Sequence, residues 1–411
     1  SEPGTRIRLA PPKTILYLVH HFFPETRGGT ERFVFNQAKE QLKKGNNVQI
    51  LTLVIKNADK CVPVTRGMKA YSYNYQDIPV TAFCYEKTPI GLYYKRIEEN
   101  DVPMETFARH QLELIKPDIV HCAYAQPMAA FLKVCRQMKI PYLITLTGFD
   151  SVCHYTTMLD KHGALCKGSE NGRRCAIACR TYGIRDYEKR YQTAESYLKA
   201  AAAVTAPSKY VADVMCAEFT ELCVKTIPHG IRRRYSPVKR DGPVRNFAFL
   251  GTLTELKGIH LLIKAFQNIS DPECTLTISG QGSAFYEKQL QKLTANDCRI
   301  RFNGPLDPEA VDELYAQSDC VVVPSLVPET YNFVIREAAS SGCLVIGSNL
   351  GALPEAILPG ENGFLFTPGD ISDLTRALQQ AMAFDWKQYV QMEFSLPKDE
   401  AEQYGYLYEC L

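Results

Sequence analysis

Glu329 and Glu337 stand with seven residues between them in PSLVPETYNFVIREAASSGCLVIGSNLGALPEAI, residues 324–357. A carboxylate accepts hydrogen bonds from paired hydroxyls, so two at this spacing could hold a sugar and a ribose. They could not share one proton or one metal. Eight residues of helix would set them about 12 Å apart along the axis and roughly 80° apart around it. Residues 321–323 close an apolar run, Pro324 and Ser325 break it, and NFVIREAASSG reads as a helix ended by Gly342. Backbone N–H groups at the start of that helix, near Tyr331, Asn332, Phe333 and Val334, would suit a diphosphate lying between the acids. The plainer alternative is an exposed helix carrying two solvated acids.

The elements around this stretch alternate between apolar runs and amphipathic segments. KTILYLVHHF (13–22) reads as a buried strand, GGTERFVFNQAKEQLKKG (28–45) as a helix and NVQILTLV (47–54) as the next strand, a β-α-β unit. The pattern recurs at 116–124, 139–150 and 201–215, breaks at IPHGIRRRYSPVKRDGPV (227–244), and restarts at NFAFLGTL. This predicts a tail over 1–12, a Rossmann-like domain over 13–231 with an insertion at 151–182, a linker over 232–244, a second Rossmann-like domain over 245–386 and a helical segment over 387–411 that returns to the first domain. Two such domains leave a cleft between the carboxyl ends of their strands, where ligands bind. Neither half carries G-x-G-x-x-G after its first strand, which argues against hydride transfer with NAD.

The 411 residues are too many for one ordinary core, and 45% hydrophobic with 22% charged residues fits a soluble globular protein. No apolar run reaches the length of a membrane-spanning helix. The chain begins without Met, as a trimmed chain or a piece of a longer protein would. The net charge of +2 conceals a division. Residues 1–236 carry 34 Lys and Arg against 22 Asp and Glu, and residues 237–411 carry 13 against 23. Either surface charge merely drifts, or a basic first domain faces an anionic partner such as a phospholipid surface or a lipid diphosphate. No nucleic-acid partner is expected. The 15 cysteines are odd in number and scattered, unlike a secreted disulfide scaffold, so a cytoplasmic protein is expected.

The chain resembles the retaining glycosyltransferases of the GT-B fold, specifically the large family 4 that uses nucleotide-sugar donors. The motifs that carry the resemblance run in order: FFPETRGGTERFV, KPDIVHC, TAPSKYV, IPHGI, FLGTLTELKG, VVPS, ETYNFVIRE, EAASSGCLVIGS and GALPEAILPGENGFLF. It covers nearly the whole chain from Lys13 onward, and the E-x7-E signature is its most specific element. The resemblance implies two Rossmann-like domains facing across a cleft. It gives Glu329 the hydroxyls of the transferred sugar and Glu337 those of the ribose. The amides of Asn332, Phe333 and Val334 would meet sugar and diphosphate, and Lys257 would neutralise the leaving diphosphate. Gly28 and Gly29 would approach the diphosphate from the first domain, and Gly251 and Thr252 would lie on the donor side.

Two positions depart from the family pattern. Thr252 stands where the family usually has Arg, with Arg232, Arg233 and Arg234 as substitutes or as a solvated triplet. Thr147 stands where many relatives have His beside the reacting carbon; Thr147 itself or His154 would replace it, and Asp150 is a candidate on the acceptor side.

The implied reaction is hexosyl transfer from a nucleoside-diphosphate-sugar to a glycan or lipid-linked hydroxyl with retention. It would serve bacterial surface polysaccharide or lipopolysaccharide synthesis at the inner face of the cytoplasmic membrane. No cofactor is required. The rivals are a nucleotide-sugar epimerase or phosphorylase of the same fold and a non-catalytic binding module. Cys153, Cys166, Cys175 and Cys179 cluster in the insertion, as some family members also show. Four thiolates are a ligand set for structural zinc; plain or redox-active thiols are the alternative.

Overall fold

The apolar runs are strands buried on both faces, as parallel strands flanked by helices must be; Ile15 to Val19 are wholly inaccessible. The computed structural model describes residues 11–89, 92, 97–181, 183–232 and 240–411. Most of the expected tail (1–10), part of the expected linker (233–239, with Arg233 and Arg234) and insertion residue 182 lie outside these.

The first sheet contains β1 (Thr14–Val19), β2 (Asn47–Leu53), β3 (Val62–Thr65), β4 (Met68–Tyr75), β5 (Ile78–Tyr85), β6 (Ile119–Cys122), β7 (Tyr142–Thr145), β8 (Ala203–Ala206) and β9 (Val224–Thr226). Its order is β3-β4-β5-β2-β1-β6-β7-β8-β9. The second contains β10 (Asn246–Leu250), β11 (Thr275–Ser279), β12 (Ile300–Gly304), β13 (Cys320–Val323), β14 (Leu344–Ser348) and β15 (Gly363–Phe366). Its order is β12-β11-β10-β13-β14-β15, parallel throughout. In each sheet the order reverses beside the domain's first strand, and the crevice at that switch point is where such sheets bind ligands.

The antiparallel edge β3-β4-β5 is a feature that β/α alternation did not predict. Its signal was present: burial alternates along β4, β5 is a continuous apolar run from Val80 to Cys84 apart from Thr81, and Gln76 and Asp77 both take positive φ in the tight turn between them.

After the second sheet the chain returns to the first. The helix Pro397–Glu409 packs on the helix Gly29–Lys43, and Gln41 donates to the Ala401 carbonyl at 3.0 Å. Tyr404 and Tyr408 enter the core behind β1. Each hydroxyl there has a partner: Tyr408 with His121 Nδ1 at 2.5 Å and Tyr17 at 3.2 Å, and Tyr404 with Thr145 at 3.0 Å and Thr205 at 2.9 Å. Buried hydroxyls demand such partners, so the helix is keyed to one register. Beside it Glu400, wholly buried, accepts from the Gly230 amide at 2.8 Å and meets His229 Nδ1 at 2.9 Å, which fixes the first crossing of the chain against the second.

Candidate active site

Two glycines set the second sheet's share of the site. Gly258 has φ +71°, and a Cβ there would lie 2.0 Å from the Pro324 carbonyl oxygen. With only hydrogen at that point, the Glu255–Lys257 turn closes onto the loop after β13, where the Leu326 amide donates to Leu256 O at 2.8 Å. Gly351 has φ +62°, and its Cβ would meet the Glu329 backbone at 2.5 Å. That close approach lets the Ala352 amide bind Glu329 O at 2.8 Å.

Lys257 is thereby brought to Glu329: its Nζ donates to Oε1 at 2.6 Å, and Ser325 Oγ donates to the same oxygen at 2.5 Å. Burial pushes the Glu329 carboxyl up, but the Lys257 charge and hydrogen bonds from Lys257, Ser325 and Asn332 more than offset it and hold the group below the ordinary value. Glu329 is therefore an anion at neutral pH.

The helix starts at Phe333, later than eight helical residues between the two acids would require. Glu329 lies in the preceding loop, as the break at Pro324 and Ser325 and a helix read from Asn332 imply, so the separation along a continuous helix does not apply to the pair. Asn332 caps the helix at φ +67°, its Oδ1 accepting from the Ile335 amide at 2.9 Å. Asn tolerates this backbone region better than most residues. The amides of Phe333 and Val334 precede the first intrahelical bond and point out of the helix start. The Tyr331 side chain turns to the chain crossing and donates to His229 O at 2.6 Å. Glu337 lies inside the helix, 3% exposed. Tyr315 OH donates to its Oε2 at 3.2 Å, and Arg32 of the first domain pairs with its Oε1.

The first domain supplies the opposite wall. Gly28 and Gly29 open the helix Gly29–Lys43, and Arg32 sits in its first turn. Glu31 folds inward, where burial pushes its carboxyl up against hydrogen bonds from its own amide and that of Gly28. Thr147 accepts from Thr30 Oγ1 at 2.9 Å and donates to Ala123 O at 2.5 Å, while its carbonyl accepts from Thr330 Oγ1 at 3.0 Å. Further bonds join the domains. Ser208 Oγ donates to Thr330 O at 2.7 Å, and the Glu355 carboxylate takes the amides of Lys209 and Tyr210 at 3.1 and 2.8 Å, capping the helix Lys209–Glu218 from across the cleft.

Between these walls lies a cavity of about 320 Å³. It brings together the predicted Gly28, Gly29, Thr147, Lys257, Glu329, Tyr331, Asn332, Phe333 and Val334. Arg27, Thr30, Arg32, His229 and Thr330 also line it and were not foreseen. Their signal lay in the quoted segments PETRGGTER and IPHGI, but nothing local to those segments says which side chains cross the cleft.

Other expectations need correction. Asp150 does not line the cavity: its Oδ2 accepts the amides of Ala125 and Gln126 at 3.1 and 2.9 Å, and its carbonyl accepts from Arg190 at 2.5 Å. It braces the loop after β6, and burial raises its carboxyl to about 6 against those bonds. Gly251 and Thr252 are also outside the lining. His154 is 2% exposed and bonds Thr181 at 3.2 Å within the insertion. Arg232 is exposed and pairs with Asp312 at 3.4 Å.

Cys153, Cys166, Cys175 and Cys179 come close enough to act on one another electrostatically. Burial first, then the neighbouring thiols, push Cys175 up to about 12 and Cys179 to about 11, so both are protonated near neutrality. Among the described residues no group of three or more His, Cys, Asp or Glu is arranged to hold a metal ion, and the zinc expectation finds no support.

Residues 27–234 match the description Glycosyltransferase Family 4, and residues 244–383 match Glycosyl transferases group 1. The chain is 33% identical over 128 residues to sulfoquinovosyl transferase SQD2 of Arabidopsis thaliana, covering 30% of this chain and 24% of that protein. It is 31% identical over 147 residues to D-inositol 3-phosphate glycosyltransferase of Corynebacterium diphtheriae, covering 34% of each. The chain thus spans only a quarter to a third of these curated relatives' length. The fold is similar to that of Anabaena Alr3699/HepE in complex with UDP and glucose, with TM-score 0.67, 17% identity, and 97% of this chain and 100% of that one covered. It is also similar to the lipopolysaccharide outer core galactosyltransferase WaaB, with TM-score 0.65, 16% identity, and 97% and 100% covered. At these identities the likeness concerns the GT-B fold alone.

Proposed function

The chain belongs to glycosyltransferase family 4, and from that premise we propose that it transfers a hexosyl unit from a nucleoside-diphosphate-sugar to a hydroxyl, with retention of configuration. The observation that carries the reading is the convergence of Lys257, Glu329 and the first amides of the helix Phe333–Ser340 on one cavity faced by Gly28 and Gly29. An amide-lined helix start and a lysine suit a diphosphate, and the carboxylate beside them suits the hydroxyls of the attached sugar.

Each group then has one task. Glu337 holds the ribose, Glu329 orients the sugar, and Lys257 meets the negative charge that grows on the leaving diphosphate as the glycosidic bond breaks. Thr147, on the first domain's wall of the cavity, is assigned the sugar's reacting face. UDP is a fitting first donor to try, since HepE binds UDP and glucose.

The acceptor belongs to the first domain. A glycan or lipid-linked hydroxyl of a bacterial surface polysaccharide, met at an anionic membrane, agrees with that domain's 34 basic against 22 acidic residues. Leu165 and Ile177 of the insertion are 46% and 68% exposed, and Lys161, Lys167, Arg173 and Arg180 around them are exposed too. No helix among the described residues is long and apolar enough to cross a membrane.

The test is product analysis with a panel of nucleotide-sugars. Transfer to added acceptor, or slow donor hydrolysis, with the anomeric configuration preserved by NMR, is the expected result. Conversion to an epimer or a sugar phosphate, or no turnover of any donor, would replace the reading.

A further inference from the structure

Glu337 has both carboxylate oxygens engaged. Tyr315 holds Oε2 and Arg32 holds Oε1, and Arg32 comes from the other domain. The Glu337 side chain is 4% exposed, and Glu337 does not line the cleft cavity, whereas Arg32, 35% exposed, does. Arg32 thus stands between the cavity and the carboxylate. A ribose in the cavity reaches Glu337 only if Arg32, which covers it, moves aside.

The cavity's cations give the second half of the argument. Lys257 is the second domain's cation there, since Thr252 has neither charge nor a place in the lining, and the first domain brings Arg27 and Arg32. A diphosphate carries more negative charge than Lys257 alone would offset. Arg32 sits in the first turn of the helix that Gly28 and Gly29 open, beside the backbone expected to face the diphosphate. Its guanidinium lies 4.7 Å over the Phe333 ring, at the start of the other phosphate-facing helix. Freed from Glu337, it has only to swing between two helix starts, and a guanidinium binds phosphate oxygens two at a time. Lys257 is paired in the same way with Glu329. Each donor-binding carboxylate therefore carries a cation that the donor's hydroxyls can replace and its diphosphate can take over.

Resting on the reading of Glu337 as the ribose acceptor, we propose that Arg32 is a nucleoside-diphosphate-binding residue that guards Glu337 until ribose displaces it and then joins Lys257 as a cation of the diphosphate. The exchange keeps a buried carboxylate from standing unpaired, which would be strongly unfavourable. It also makes entry selective. A nucleoside alone must break the ion pair and offers the arginine nothing in return, whereas a nucleoside diphosphate re-pairs it.

The consequence is an effect of opposite sign on two ligands. Calorimetry would compare wild type with Arg32→Ala against uridine, guanosine, thymidine and adenosine and their 5′-diphosphates. In R32A the diphosphate should bind about tenfold or more weakly, for loss of a charge-assisted hydrogen bond. The matching nucleoside should bind no more weakly, and up to several-fold more tightly, because no pair need be broken. Arg32→Lys, which keeps the charge, should recover much of the diphosphate affinity and guards against a folding defect in R32A. Equal weakening of nucleoside and diphosphate would overturn the proposal and make Arg32 a brace for Glu337. Unchanged diphosphate affinity in R32A would also overturn it. Failure of wild type to bind any of the diphosphates would overturn the donor reading itself and this proposal with it.

Discussion

Glu329 and Glu337 share a motif but differ in what surrounds them, so their loss should be felt differently. Glu337→Ala is expected to weaken binding of the free nucleoside diphosphate about tenfold or more, the worth of a buried charge-assisted hydrogen bond. Glu329→Ala should leave that binding nearly intact, because removing the partner of Lys257 leaves the lysine free for the diphosphate. It should still lower turnover and sugar discrimination. Calorimetry with the nucleotide, followed by kinetics with several sugars, separates the two; equal, negligible effects would remove the assignment. Lys257→Ala should lower kcat more than it raises the donor KM, because leaving-group charge is greatest at the transition state. An unchanged kcat would take Lys257 out of the chemistry. Glu329, Lys257, Gly28 and Gly29, which meet at the cavity, were legible because each lies in a short local motif, whereas Gly251 and Glu337 lie outside its lining. Arg32 was not legible, since its partner is 305 residues away. Asp150 was misread because its motif lies at the end of a strand facing the cleft while its side chain turns back to the amides of Ala125 and Gln126.

Elements carry that brace and the closure of the cleft. Asp150 is 2% exposed with its carboxyl raised to about 6. Between about 4, the ordinary value, and 6 the folded chain retains a proton that the unfolded chain has released. Asp150 therefore makes the protein less stable as pH rises through that window, and its effect is constant above it. A shift of this size corresponds to roughly 3 kcal/mol at most. Asp150→Asn, which still offers an oxygen to the two amides, should equal or exceed wild type in thermal stability at pH 7 and lose that advantage at pH 4. Equal destabilisation at both would show that the carboxylate is needed charged. Glu355 caps the helix Lys209–Glu218 from the other domain. A cap of this kind is worth about 0.5–2 kcal/mol, and Glu355 is exposed, so the lower end applies. Glu355→Ala should raise the donor KM a few-fold with little change in melting temperature, as expected for loss of closure rather than of folding. A lower melting temperature with unchanged KM would make the contact merely structural. The parallel strands were legible because long apolar runs bounded by Gly and Pro admit few other readings. The β3-β4-β5 edge was passed over because its polar alternation resembles a loop between β/α units. The contact of Glu355 with a helix in the other domain has no sequence signal at all.

The whole molecule divides its charge, with the excess of base in residues 1–236 and of acid in residues 237–411. The second domain's acidity would repel an anionic donor were it not for Lys257 and the cations that Arg27 and Arg32 bring across the cleft. The remaining basic excess has no evident donor role. Its attraction for an anionic surface would be screened over about 8 Å at physiological ionic strength. Raising salt to about 0.5 M should therefore weaken sedimentation with anionic vesicles several-fold, or raise the acceptor KM, while the donor KM changes less. No binding to anionic or neutral vesicles, with a salt-independent acceptor KM, would leave the basic face a solvated surface. The two-domain plan was readable from where β/α alternation broke and resumed. The terminal helical segment was expected to return to the first domain, but nothing in its sequence said that Tyr404 and Tyr408 would enter that domain's core.

The donor site itself is tested most directly by melting wild type and Glu337→Ala with saturating UDP, GDP, dTDP and ADP. A ligand that binds only the folded state, present at a hundred times its dissociation constant, adds about 2.7 kcal/mol of stability. One of the four should raise the melting temperature of wild type, and E337A should lose most of that rise. No rise with any of them in wild type, or the same rise in both proteins, would contradict a nucleotide held by Glu337.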